Sequence, residues 1–183
     1  MRQVAGQQSR QRFRELVLPH LDGALALARW LTGNRADAED VTQEAFLRAL
    51  EGMDGFAGPS ARAWIFAIVR NSAWTWLRRN RPASLIYVDD LAAVEAAQAG
   101  LEGPGSVAAN PEAALIAAQS GARVQAAIAA LPPLFREIVV LRDINGLSYR
   151  EIAEVLGVPA GTVMSRLARA RTQLINALKD NER

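Results

Sequence analysis

The chain has 183 residues, 50% of them hydrophobic and 22% charged, with a formal net charge of +2, one histidine and no cysteine. That is the composition of a soluble globular protein able to bury a core in one domain or two small ones, and it excludes disulfides, thiolate metal sites, a thiol nucleophile and a thiol redox switch. His20 alone cannot build a multi-histidine metal centre and leaves little for a hydrolytic triad, so no metal and no cofactor are expected.

In chain order, MRQVAGQQSRQRFREL lacks an apolar signal core, and no run reaches the roughly 18 apolar residues of a membrane span, which predicts a reducing, cytoplasmic location without membrane insertion. Arg12 to Leu31 reads as a first helix, because Phe13, Leu16, Val17, Leu21, Leu25 and Ala28 recur at helical spacing until Gly33-Asn34 breaks it. His20 lies near Val17, Leu21 and Ala24 on that helix, as a packed or boundary residue would.

A second helix is predicted from about Ala36 to Leu50. Ala38, Val41, Thr42, Ala45 and Ala49 make its inner face and leave Asp40, Gln43, Glu44 and Leu47 outside. Helix geometry alone favours a solvated face with one stray leucine; the competing reading is a protein docking strip with Leu47 as apolar anchor. Gly52 to Ser60, GMDGFAGPS, is a turn-rich loop carrying one aromatic, Phe56, and a third helix follows to about Asn80.

With Ile65, Ile68, Val69, Ser72 and Trp76 inward on the third helix, its rotation puts Arg70, Trp74 and Arg78 together on the outer side and assigns Trp64 and Trp76 to the core. An aromatic ring between arginines is what a surface uses to stack an unpaired base while holding its backbone. Packing of Trp74 against the other domain or a protein partner is an equal reading.

Charge is segregated along the chain. Ser60 to Pro82 holds Arg62, Arg70, Arg78, Arg79 and Arg81 and no acid, whereas Leu85 to Ser120 holds Asp89, Asp90, Glu95, Glu102 and Glu112 and no Lys or Arg. Ala83 to Asn110 mixes Ala, Gly, Pro and acids around a short Leu85-Ile86-Tyr87-Val88 run and reads as a linker, most flexible at Leu101 to Ser106. A C-terminal helical domain starts near Pro111 or Glu112 and passes a Pro132-Pro133 helix start. The predicted fold is all-α: two small helical domains, 1–82 and 111–183, joined by a flexible acidic linker, 83–110, with a helix-turn-helix in the second domain.

That helix-turn-helix is the most specific signal. In SYREIAEVLGVPAGTVMSRLARAR, Ser148 can cap a first helix with Glu151 three residues on, Gly157 ends it, and Val158-Pro159 starts a short second helix. Val163, Leu167, Ala170 and Leu174 give that second helix a buried stripe, leaving Gly161, Ser165, Ala168 and Thr172 outside, with Met164 and Arg169 on the flanks. Small outer side chains let a helix backbone approach base edges, and Arg169 and Arg171 supply charge for phosphates or guanine edges. Arg166, nearer the stripe, suits a phosphate or intramolecular role first. No acid occurs from Ala160 to Lys179.

Taken together, these residues resemble the extracytoplasmic-function (ECF) group of bacterial sigma factors, the two-domain subunits that give RNA polymerase its promoter choice. DAEDVTQEAFLRAL from Asp37 is similar to the family's core-polymerase-binding helix, ARAWIFAIVRNSAWTWLRR from Ala61 to its promoter-melting helix, and Leu131 to Arg171 to its C-terminal pattern throughout. The resemblance implies that Asp40, Gln43 and Glu44 meet core RNA polymerase, and Leu47 of the same exposed strip is expected to join them. It further implies that Phe56, Arg70, Trp74, Arg78 and Arg79 serve the minus-ten element, with the Gly52 to Ser60 loop capturing a flipped base. Ser165 and Arg169 fall at family DNA-contact positions and, with Met164, Arg166 and Ala168 of the same helix, are expected to serve the minus-thirty-five element.

This sequence departs from the family pattern at Thr75, where the family commonly has Asp, and at Met164, where many members have a basic residue. The resemblance also implies an anti-sigma factor wedged between the domains, for which the Leu85 to Val88 run can serve as a dock if it does not pack on the N-terminal domain. The competing class is a stand-alone regulator whose N-terminal domain senses a ligand or dimerises; it predicts palindromic half-sites bound without polymerase. An enzyme is not expected, because no carboxylate, histidine or glycine-loop constellation is present.

Overall fold

The computed structural model describes residues 2–81 and 113–180, with side chains over 7–81 and 121–179. The predicted linker at 83–110, with its Leu85 to Val88 run, lies outside the described residues.

Helix α1 spans Arg2–Leu16, a short 3-10 turn spans Leu18–His20, and α2 spans Leu21–Thr32. The single helix expected from Arg12 to Leu31 is therefore two. Pro19 is the reason: it has no N–H to give an α-helix, and its ring collides with the carbonyl four residues back. The break re-aims the apolar series, so Leu16 and Leu21 are each 40% exposed while Val17, Ala24, Leu27 and Ala28 are fully buried.

Gly33 ends α2 at φ 81°, a left-handed conformation that suits glycine. Asn34 then caps α3, Arg35–Gly52, accepting the Asp37 N–H at 2.9 Å. The predicted inner face of α3 is buried, joined by Phe46. A 3-10 turn at Met53–Gly55 leads to α4, Ala61–Asn80, capped by Ser60, whose Oγ accepts the Ala63 N–H at 3.1 Å. Helices α2, α3 and α4 pack on one another as the N-terminal bundle.

The C-terminal bundle comprises α5 (Ala113–Ala130), α6 (Pro133–Val139), a π turn (Val140–Ile144), α7 (Tyr149–Leu156) and α8 (Ala160–Asp180). In the π turn the Asn145 N–H reaches back to the Val140 carbonyl at 2.9 Å, and the Asn145 side chain donates to the same oxygen at 3.1 Å. The capping box of α7 is formed as predicted: Ser148 Oγ accepts the Glu151 N–H, Glu151 Oε2 accepts the Ser148 N–H at 2.8 Å, and Gly157 closes the helix at φ 67°.

Val163, Leu167 and Ala170 of α8 are buried and Leu174 half-buried, as the stripe required. With 21 residues α8 is not the short helix expected, because the apolar series continues through Leu178 where α5 packs against it. Among the described residues no strand occurs. Ile152 is fully buried beneath α8 in the same cluster as Val163 and Leu167, and its truncation to Ala would cost roughly 2–5 kcal/mol.

The two bundles pack together, α4 against α7 and α2 against α6, and one contiguous cluster of buried apolar residues runs through both.

Candidate nucleic-acid and protein interfaces

The outer face of α8 is built as the sequence indicated. Gly161, Met164, Ser165, Ala168 and Thr172 are exposed, with Met164 at 51%, and Arg166 and Arg169 are half-buried on the flanks. The Ser165 hydroxyl donates to the Thr162 carbonyl at 3.0 Å and keeps acceptor capacity toward solvent. Arg171 differs from expectation. It forms a two-point ion pair with Asp143 of the π turn, at 2.5 and 3.3 Å, so its charge ties α8 to that turn. Arg142 stacks over Tyr149 at 4.7 Å and donates to the Leu147 carbonyl at 2.7 Å, which fixes the approach to α7 from the same side.

On α3 the strip of Asp40, Gln43, Glu44 and Leu47 is exposed, Leu47 by 55%. Glu44 pairs with Arg48 one turn on, an exposed pair of small energetic weight. Leu47 and Gln43 help line an open apolar groove of about 420 Å³, together with Phe13, Leu18, Leu21, Leu25, Phe46 and Leu50 and the polar Asp22, Glu39 and Thr42. The leucines that Pro19 turns outward thus face the same space as Leu47.

The third-helix face is where the structure corrects the sequence reading most. Trp74 is only 8% exposed, and its indole Nε1 donates to Glu137 Oε2 of α6 at 2.7 Å. Arg70 pairs with the same carboxylate at 2.9 Å through Nε and 3.1 Å through Nη2, and lies 5.6 Å from the Trp74 ring. The second of the two readings of Trp74, packing against the other domain, is what this arrangement holds. Arg78 and Arg79 remain exposed.

Trp64 and Trp76, assigned to the core, are instead half-buried at the edge: Trp64 stacks on Phe56 at 4.6 Å, and Arg81 lies over Trp76 at 5.6 Å. The Phe56 loop is held down by Arg12, which donates to the Phe56 carbonyl at 3.0 Å, so Phe56 is half-buried on a braced loop.

Further contacts seal the seam between bundles. Arg62 donates to the Asn145 carbonyl, Ser60 Oγ donates to Glu151 Oε1 at 3.3 Å, and Arg136 donates to the Trp30 carbonyl at 3.0 Å, near the electronegative end of α2. Burial lowers the His20 imidazole below its usual value, Arg62 adds to that, and Glu151 opposes it. Burial raises Glu151, but the Ser148 bonds, the Arg62 charge and the Ser60 hydroxyl together hold its carboxyl below the ordinary range. Burial, with the nearby Arg81 charge, lowers Arg136.

Sequence reasoning missed Glu137, Asp143 and Asn145. A usable signal existed for Glu137, an acid inside the apolar run Phe135, Ile138, Val139, Leu141, since buried acids demand partners.

Among the described residues no group of acids and histidines could hold a metal ion, and no helix is long and apolar enough to cross a membrane. Fold and surfaces together define a class: two helical bundles, the second presenting a helix-turn-helix whose second helix carries no acid from Ala160 to Lys179. Comparison with known proteins gives the family. The model for sigma-70 region 2 matches residues 16–83 and that for sigma-70 region 4 matches residues 121–174.

The ECF RNA polymerase sigma factor SigE of Mycolicibacterium smegmatis is 41% identical over 161 residues, covering 87% of this chain and 59% of that relative's length. SigW of Bacillus subtilis is 33% identical over 172 residues, covering 92% of this chain and 89% of SigW. The solved structure of the sigma factor RpoE in complex with the anti-sigma factor NepR from Bartonella quintana superimposes with a TM-score of 0.65 at 27% identity, covering 92% of this chain and 98% of RpoE. The chain belongs to the ECF sigma factors of the sigma-70 family.

Proposed function

We propose that this chain directs core RNA polymerase to promoters in the cytoplasm, with residues 1–82 as the polymerase- and minus-ten-binding domain, 83–110 as the linker and 111–183 as the minus-thirty-five reader. In this reading Asp40, Gln43, Glu44 and Leu47 dock on the polymerase. Arg70, Trp74, Arg78, Arg79 and Phe56 take the unpaired minus-ten strand, and Met164, Ser165, Arg166, Ala168 and Arg169 meet the duplex upstream. The chain has no catalytic role of its own; chemistry stays with the polymerase. An anti-sigma factor, of the kind found in complex with the Bartonella relative, holds it inactive.

The observation that carries this reading is the outer face of α8, where small exposed residues flank a line free of acids at the end of a rigid capped turn. Backbone can approach base edges there, and a carboxylate cannot be tolerated. The test is footprinting of polymerase loaded with the Ala168→Glu variant: upstream protection is lost while the free variant keeps its helical signal. Retained protection would remove α8 as the reading helix.

A further inference from the structure

Helix α8 is seated on its bundle by one apolar stripe, the buried Val163, Leu167 and Ala170. A helix held along a single stripe can still rock about it, and helix pairs scatter by roughly 15–20° around their preferred crossing angles. From Gly161 to Arg171 the helix runs about 15 Å, so a rock of about 10° would displace one end of the reading face by about 2.6 Å against the other. That is several times the roughly 0.5 Å within which a recognition surface has to be held. The face needs an attachment off the stripe.

Arg171 supplies it. Two of its N–H groups meet the two oxygens of Asp143, Nη2 to Oδ1 at 2.5 Å and Nε to Oδ2 at 3.3 Å, and a planar fork held at two points fixes an angle as well as a distance. Asp143 in turn stands on a firmly held turn. Val140 and Leu141 before it and Leu147 after it are fully buried, the Gly146 N–H donates to the Arg142 carbonyl at 3.1 Å, and the Leu147 N–H donates to the Leu141 carbonyl at 3.0 Å. Its neighbour Arg142 is committed elsewhere, to the Leu147 carbonyl and the Tyr149 ring.

Both members of the pair are partly exposed, so it adds little to stability. An acid beside a helix that has to approach phosphates also works against binding unless its charge is met. What Asp143 does to Arg171 accounts for both facts.

We propose that Asp143 is a positioning residue for promoter reading. Through Arg171 it sets the angle at which α8 presents Ser165, Ala168 and Arg169 to the groove, and Arg171 itself touches no phosphate. The inference rests on the reading of α8 as the minus-thirty-five helix, which the parent chain tests in the same experiment.

The probes are two fluorescent duplexes made from one promoter fragment recovered by run-off transcription, identical except that the upstream element is scrambled in the second. Each is titrated with polymerase carrying the full chain, at several salt concentrations, with melting curves of the free variants alongside. The parent should prefer the intact duplex; a parent without that preference removes α8 as the reading helix, and the positioning role with it. Asp143→Asn and Arg171→Gln should each weaken binding to the intact duplex about threefold or more, and the double variant should be no worse than either, because each residue acts through the other. Binding to the scrambled duplex, the slope of affinity against salt and the melting curve should all stay as in the parent.

Two phosphate readings give opposite signs. Tighter binding of Asp143→Asn to both duplexes, with a salt slope steeper by about 0.9, would mean that Asp143 only withholds Arg171 from a phosphate. Weaker binding of Arg171→Gln to both duplexes, with a slope shallower by about 0.9, would mean that Arg171 contacts one. Either result overturns the proposal, as does a preference that both single variants retain or that they lose only together with the melting transition.

Discussion

Leu47 offers the sharpest test of the docking strip because its two states differ in a calculable way. Full burial of a leucine side chain is worth roughly 1.5–3 kcal/mol. At 55% exposure Leu47 keeps about half of that for a partner, roughly 0.8–1.6 kcal/mol, or about a 4- to 15-fold change in Kd. Leu47→Asp forfeits all of it and sets a carboxylate against the apolar groove formed by Phe13, Leu21, Leu25 and Phe46, so its loss of affinity for core polymerase should reach the top of that range or exceed it.

In the free chain the same change costs little. The site is exposed, and the new acid sits one turn from Gln43 and Glu44, a like-charge penalty of a few tenths of a kcal/mol. The assay is a fluorescence titration of each variant against core polymerase with thermal melts alongside, and Asp40→Arg as companion, which should slow association and reduce its salt dependence. Parent-like binding by Leu47→Asp, or collapse of its melting transition, would refute the anchor role.

Three further outcomes are expected. Arg169→Ala should weaken promoter binding by roughly 1–3 kcal/mol if it meets a base, measured by footprint titration with polymerase present. Trp74→Ala should slow open-complex formation on duplex templates far more than on templates already melted at the minus-ten element, read by permanganate reactivity; equal losses would assign Trp74 to the seam alone. Acid should destabilise the fold. The folded His20 imidazole titrates below its ordinary 6.5, so its contribution is present above pH 6.5 and is lost as pH falls through the lower folded value. His20→Gln should flatten the melting-temperature profile between about pH 7 and 5; an unchanged slope would remove His20 as its source.

The local elements were legible because their causes are local. Ser148 with Glu151, Gly157 and the 163, 167, 170 series specify a capped helix, a left-handed stop and a buried stripe within a few residues of one another, and all three are present. The inner face of α3 was readable for the same reason. Pro19 was readable too, yet the apolar series running through it outweighed a signal that should have divided the helix.

The fate of Trp74 was not legible. Helix α4 is covered by its own bundle and by the C-terminal one, so rotation along the helix tells which way Trp74 points and not what lies there. Arg171 and Asp143, 28 residues apart, meet only because the π turn redirects α6, and no periodicity announces such a turn.

The central claim is that the chain directs polymerase to promoters, and run-off transcription tests it most directly. Purified core polymerase is incubated with genomic fragments, with and without the chain. The account predicts discrete transcripts that appear only with the chain, start downstream of two shared sequence elements at fixed spacing, and vanish with Ala168→Glu. Absence of any chain-dependent transcript, together with tight binding of the chain alone to palindromic sites, would contradict it.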